Sequence, residues 1–87
     1  MKESELKEFR QILKYFPLVG ISISQLATEI GINSSTLYNY RNGLIPKQDK
    51  YNAIMDKLKT DFPREFEKIG LYMQIDREME KGEWETI

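Results

Sequence analysis

Apolar residues return every three or four positions along almost the whole chain, and prolines and glycines cut that rhythm into short pieces. This predicts short helices. Leu6, Phe9, Ile12, Leu13 and Phe16 line one face of a helix over 4–16. Ser4 is placed to cap it, and Glu5 and Glu8 fall in the first turn, where the helix dipole favours anions. Pro17 ends it, because the residue before a proline is pushed out of the helical region. Ser22 with Gln25 fits a capping box; Ile23, Leu26, Ala27 and Ile30 then share a face, and Gly31 supplies a left-handed stop. Asn33 is the N-cap of a third helix, within the cap-forming run Asn33-Ser34-Ser35-Thr36. Leu37 and Tyr40 carry its apolar rhythm and Asn42-Gly43 closes it. After the linker Leu44-Ile45-Pro46, residues 47–59 form a fourth helix with Tyr51, Ile54, Met55 and Leu58 inward. Asp61-Phe62-Pro63 ends that helix and starts a fifth, since proline is tolerated in a first turn. The fifth runs over 63–81, with Phe66, Ile69, Met73 and, as a further candidate, Met79 on its apolar side. Gly70 weakens it by about 1 kcal/mol relative to alanine; Gly82 stops it, and Trp84 follows in a short tail. No convincing alternating run, internal repeat or low-complexity tract competes with this reading. The fold class predicted is all-α, five helices, with a longer C-terminal one.

Length limits how much such helices can bury. For 87 residues and 10.3 kDa the area scaling gives about 5,400 Å² folded against about 15,000 Å² unfolded, which is one small core and no second. With no cysteine and no histidine, thiolate zinc sites, thiol nucleophiles and the commonest general base are all absent. No catalytic residue, metal ligand or cofactor is therefore expected, and an enzyme is not. The longest apolar stretch, 12–23, is broken by Lys14, Pro17, Gly20 and Ser22, too interrupted to span a membrane. Met1-Lys2-Glu3-Ser4-Glu5 lacks the basic-then-apolar order of a signal peptide, so a cytoplasmic protein is expected.

The second and third helices carry the information about function. Leu26, Ile30, Leu37 and Tyr40 are spaced to hold two brief helices on the rest of a domain. Ala27 is small where the next helix must cross close by, Gly31 makes the turn, and Ile32 plugs the angle between the pair. This ordered set, Ser22, Gln25, Leu26-Ala27, Gly31, Asn33-Ser34-Ser35-Thr36 and Asn42-Gly43, resembles the helix-turn-helix of the phage lambda repressor/Cro-like (XRE-type) family. The resemblance covers about residues 4–60, since the flanking helices at 4–16 and 47–59 also stand where that family has its first and fourth. Two departures are an unusually apolar link over 17–21 and Arg41 where many relatives are acidic before the closing Asn-Gly. The last 27 residues match nothing in the family's pattern.

Residues 61–87, which the resemblance does not cover, are read from their own apolar and acidic residues as a dimerisation or partner-binding segment, whereas the resemblance implies a lambda-repressor-like DNA-binding domain over 1–60. It places the third helix in the major groove, with Ser34, Ser35, Tyr38 and Asn39 toward the DNA. Asn39 would pair with adenine in two-pronged fashion, the serines would specify weakly, and Tyr38 would meet a thymine methyl or a phosphate. Gln25 matches the family's phosphate clamp at a helix N-terminus, and Arg41, Lys47 and Lys50 would touch the flanking backbone. Each residue also has a plainer reading. Ser34, Ser35 and Thr36 suit helix capping alone, Gln25 the capping box, Tyr38 and Tyr40 the core, and the three cations a solvated face.

Charge is distributed in a way that bears on this. Net charge is −1, but residues 33–59 hold five basic and two acidic groups, while 60–87 hold four basic and eight acidic. The third and fourth helices would face phosphates, with the acidic end of the chain turned away. So small a basic excess predicts weak binding by a monomer, and hence a homodimer on double-stranded DNA with half-sites about 34 Å apart. Phe66, Ile69 and Met73, with Tyr72 or Trp84, are the candidate dimer surface; the alternative is that they close the monomer's own core. A different function, a protein-interaction module of antitoxin or antirepressor type, would use the acidic C-terminal helix on another protein.

Overall fold

The computed structural model describes residues 2–79. Its described residues form five α-helices: α1 (Glu3–Tyr15), α2 (Ile23–Ile30), α3 (Ser34–Arg41), α4 (Gln48–Asp61) and α5 (Pro63–Glu78), with a 3-10 turn, Phe16–Val19, after α1. The all-α, five-helix expectation is met. Gly82 and Trp84, and the end of the fifth helix beyond 79, lie outside the described residues.

The first helix departs from its expected ends. Lys2, in extended backbone and with no side-chain cap bond, precedes it, and Ser4 lies inside its first turn. Pro17 does not expel Phe16 from helical geometry either. Phe16 keeps φ −55° and ψ −43°, donates its N–H to the Ile12 carbonyl, and the chain tightens into the 3-10 turn that carries Pro17 in its first positions. Packing explains this. The Phe16 side chain is fully buried and meets the Phe62 ring edge-on at 5.9 Å, contacts that outweigh the local bias of a pre-proline residue.

The closures at Gly31 and Gly43 follow the expected chemistry. Gly31 has φ 78°, a region costly for residues with a Cβ. There Gly31 N donates to Thr28 O and Ile32 N to Ala27 O, the paired bonds of a Schellman motif. Gly43, at φ 125°, repeats it: Gly43 N bonds Tyr40 O and Leu44 N bonds Asn39 O. The residue following each glycine differs in fate. Ile32 packs against the core, whereas Leu44 is 52% exposed.

A single apolar cluster joins all five helices, running from Phe9, Ile12 and Leu13 in α1 through Leu26, Leu37 and Leu58 to Ile69 and Met73 in α5. Phe9 is its hinge-pin. Its ring lies 6.1 Å from that of Tyr40 in α3 and 5.3 Å, edge-on, from that of Tyr51 in α4. Helix α5 packs on α1, on the 3-10 turn and on α4. The reading of Ile69 and Met73 as a dimer surface is thereby corrected: both are buried in the monomer's own core, with Phe66 packed against it. Met79 is exposed, not inward. Among the described residues no helix is long and apolar enough to cross a membrane.

Two polar features, one in α1 and one in α4, were not legible in the sequence pattern. The Arg10 Nε is buried with no hydrogen-bond partner among the described residues, a donor left to bear its desolvation cost. Tyr51, half-buried, has its phenol pushed above the ordinary value of 10.0, first by burial and then by the Glu5 and Glu8 carboxylates. A phenol whose pKa is raised on folding stabilises the fold below the unfolded value, and that contribution disappears as pH climbs through the folded one. Urea midpoints should therefore fall above about pH 10, and the fall should be shallower in Tyr51→Phe. Identical alkaline profiles in the two proteins would refute this assignment.

Candidate nucleic-acid interface

Helix α3 is held from both ends. Asn33 caps it, its Oδ1 accepting the Ser35 N–H at 2.8 Å, and the Gly43 closure stops it after two turns. Because the Asn33 side chain does the capping, the hydroxyls of Ser34 and Ser35 form no hydrogen bond among the described residues. Inward the helix buries Leu37 and Tyr40; outward it presents Ser35, Tyr38 and Asn39, all exposed, with Ser34 half-buried. The two tyrosines thus divide, Tyr40 into the core and Tyr38 to the outside at 37% exposure.

The structure brings some candidate residues together and leaves others apart. Arg41, three residues after Tyr38 and so one helical turn along, lays its guanidinium 4.9 Å from the Tyr38 ring centroid. Its Nε also reaches Asn42 Oδ1 at 3.4 Å. Arg41 is half-buried and held as part of the surface of α3, a cation stacked on a ring. The Asn39 carbonyl accepts from Asn42 N and Leu44 N, while its side-chain amide forms no hydrogen bond among the described residues and keeps both donor and acceptor capacity for an outside partner.

Lys47 and Lys50 belong to a second grouping at the start of α4. Both are exposed and line a cleft with Tyr40, Leu44, Ile45, Pro46 and Asp49. Lys47 is the N-cap of α4 and offers no side-chain cap bond. The Lys50 N–H is taken by Asp49 Oδ1 at 2.9 Å. Leu44 and Ile45, 52% and 62% exposed, wall this cleft; sequence reasoning passed over them as linker, and their only sign was two apolar residues in a row between polar helices.

Gln25 stands apart, exposed on the first turn of α2. Its backbone N–H is capped by Ser22 Oγ at 3.1 Å, while the return bond from the Gln25 amide is not formed among the described residues. One half of the expected capping box exists, and the freed amide stands at a helix N-terminus, where backbone N–H groups and the dipole favour an anion.

Helix α5 itself carries three basic and four acidic residues; Asp61 and residues 80–87, the latter outside the described part, account for the rest of the excess. Among the described residues no group of three or more His, Cys, Asp or Glu could hold a metal ion. Comparison of the chain with protein-family models, with curated proteins and with solved structures returned no match.

Proposed function

We propose that this protein is a sequence-specific DNA-binding regulator of bacterial or phage type, which lays α3 in the major groove and acts on its operator as a homodimer. The observation that carries the reading is the outer side of α3, where Ser35, Tyr38 and Asn39 are exposed and the Asn39 amide has no hydrogen-bond partner among the described residues. A short helix capped at both ends, with its apolar side sunk in the core, is a rigid ridge of the width the major groove admits. Arg41 on Tyr38, the lysines of α4 and the amide end of α2 supply backbone contacts around it. Helix α5 packs on α1, the 3-10 turn and α4, and among the described residues that ridge is exposed. No catalytic step is part of this role; occupancy of DNA is the whole mechanism.

Fluorescence anisotropy on a random-sequence duplex at low salt tests the ligand class. Binding is expected within the usual non-specific range of about 10⁻⁴–10⁻⁶ M, weakening as salt rises. Absence of binding across that range removes DNA as the ligand. Selection from a random duplex pool should then enrich a two-fold symmetric site.

A further inference from the structure

Phosphate contacts account for only part of the cleft that precedes α4. Its floor is apolar, formed by the buried Tyr40 and Pro46, and Leu44 and Ile45 wall it with more than half of each side chain exposed. Lys47 and Lys50 stand at its edge, three residues apart and so one helical turn from each other. Both are exposed, and neither ammonium has a carboxylate partner among the described residues. The one acid in the lining, Asp49, is tied to its own helix, its Oδ1 accepting the Lys50 N–H at 2.9 Å. A DNA phosphate would satisfy the ammonium ions and cover neither Leu44 nor Ile45.

An occupant that fills the whole cleft needs an apolar body and a negative charge. The volume, about 470 Å³, lies within the roughly 300–1,000 Å³ of small-molecule sites. Two lysines against one aspartate leave the lining with a single positive charge in excess, which matches a monoanion. An aliphatic chain would take Leu44 and Ile45 out of water, the favourable step. Its charged end would meet the two ammonium ions beside apolar walls, where the attraction is stronger than in open water. We propose that this cleft binds a small amphipathic carboxylate, one anionic group on an aliphatic chain, and that the occupant excludes DNA because it takes Lys47 and Lys50 from the phosphates. The exclusion rests on the function proposed above; the binding site stands without it. Such a ligand would release the protein from DNA by direct competition, with no change of fold.

Octanoate is the probe, followed by backbone amide shifts in NMR spectra of the full chain without DNA. Saturable one-to-one binding is expected, with a Kd of about 0.1–10 mM for so small a ligand and with the shifts gathered over residues 40–50. Acetate, which has the charge without the chain, and octylamine, which has the chain with the opposite charge, should leave these amides unmoved. Ile45→Asp should weaken octanoate about tenfold, as should Lys47→Glu combined with Lys50→Glu. Helical circular dichroism should hold in both, since these side chains lie outside the core. Absence of saturable octanoate binding, or equal binding of octylamine, overturns the proposal. So does binding to phosphatidylglycerol vesicles without binding of free octanoate, which would make the cleft a membrane contact. In the second arm octanoate should release a bound random duplex, and acetate at the same ionic strength should not. A duplex still held by octanoate-saturated protein overturns the exclusion. A chain that binds octanoate at 40–50 but no duplex at all counts against the proposed function and supports the cleft.

Discussion

Phe9→Ala is expected to destabilise the chain by about 3–5 kcal/mol and to leave much of it unfolded at moderate temperature. Domains carry about 0.05–0.15 kcal/mol of stability per residue, so 87 residues amount to roughly 4–13 kcal/mol, and one such loss takes most of the lower figure. The Phe9 side chain is 1% exposed and touches the Tyr40 and Tyr51 rings at once. Its removal opens a cavity between α1, α3 and α4 that no single neighbour can refill. Urea denaturation followed by helical circular dichroism measures the effect. A loss below about 1 kcal/mol, the level of an ordinary surface change, would mean that the three helices do not depend on this ring. Any change in DNA binding of this variant would be a consequence of folding.

The largest effect on recognition is expected at Asn39. Asn39→Ala removes a donor and an acceptor from the free side of α3 without touching the core. On a selected operator it should lower the preference over random duplex by about 5- to 150-fold, the worth of one two-pronged base contact at about 1–3 kcal/mol. Affinity for random duplex should hardly move. Lys50→Ala should behave oppositely, weakening every sequence alike and reducing the slope of log affinity against log salt by about 0.9. Paired titrations at several salt concentrations separate the two. Equal losses on all sequences from both variants would mean that α3 does not read bases.

Local chemistry was legible wherever it decides the structure by itself. The caps Ser22 and Asn33 and the stops Gly31 and Gly43 were all readable, as was the junction Asp61-Phe62-Pro63, because the competing energies there lie within a few residues of one another. Ser4 failed as a cap for the complementary reason. At an exposed helix end water satisfies the first amides nearly as well, so a shift of one or two residues costs little. Phe16 failed because its conformation answers to Phe62, far along the chain. The division of the candidate surface was also partly readable: the period of α3 separates Tyr40 from Tyr38 and Asn39, but no pattern announces that Arg41 will lie on the Tyr38 ring.

Helix α5 marks the boundary between the two kinds of information. Periodicity put Phe66, Ile69 and Met73 on its apolar side but left open whether that side met the core or a second copy, and it passed over Leu71 and Ile75. By itself, then, the sequence determined the number of helices, where α2 and α3 start and stop, the junction between α4 and α5, and the polar character of the ridge on α3. Tertiary structure alone decided that Ile69 and Met73 would enter the core while Leu71 and Ile75 stayed outside, that Leu44 and Ile45 would wall an open cleft, and that Arg10 would bury a nitrogen with no partner among the described residues. The reason is physical. Caps and turns are settled by neighbours along the chain, whereas the choice of a buried face depends on the summed contacts of residues that meet only once the chain has folded back on itself.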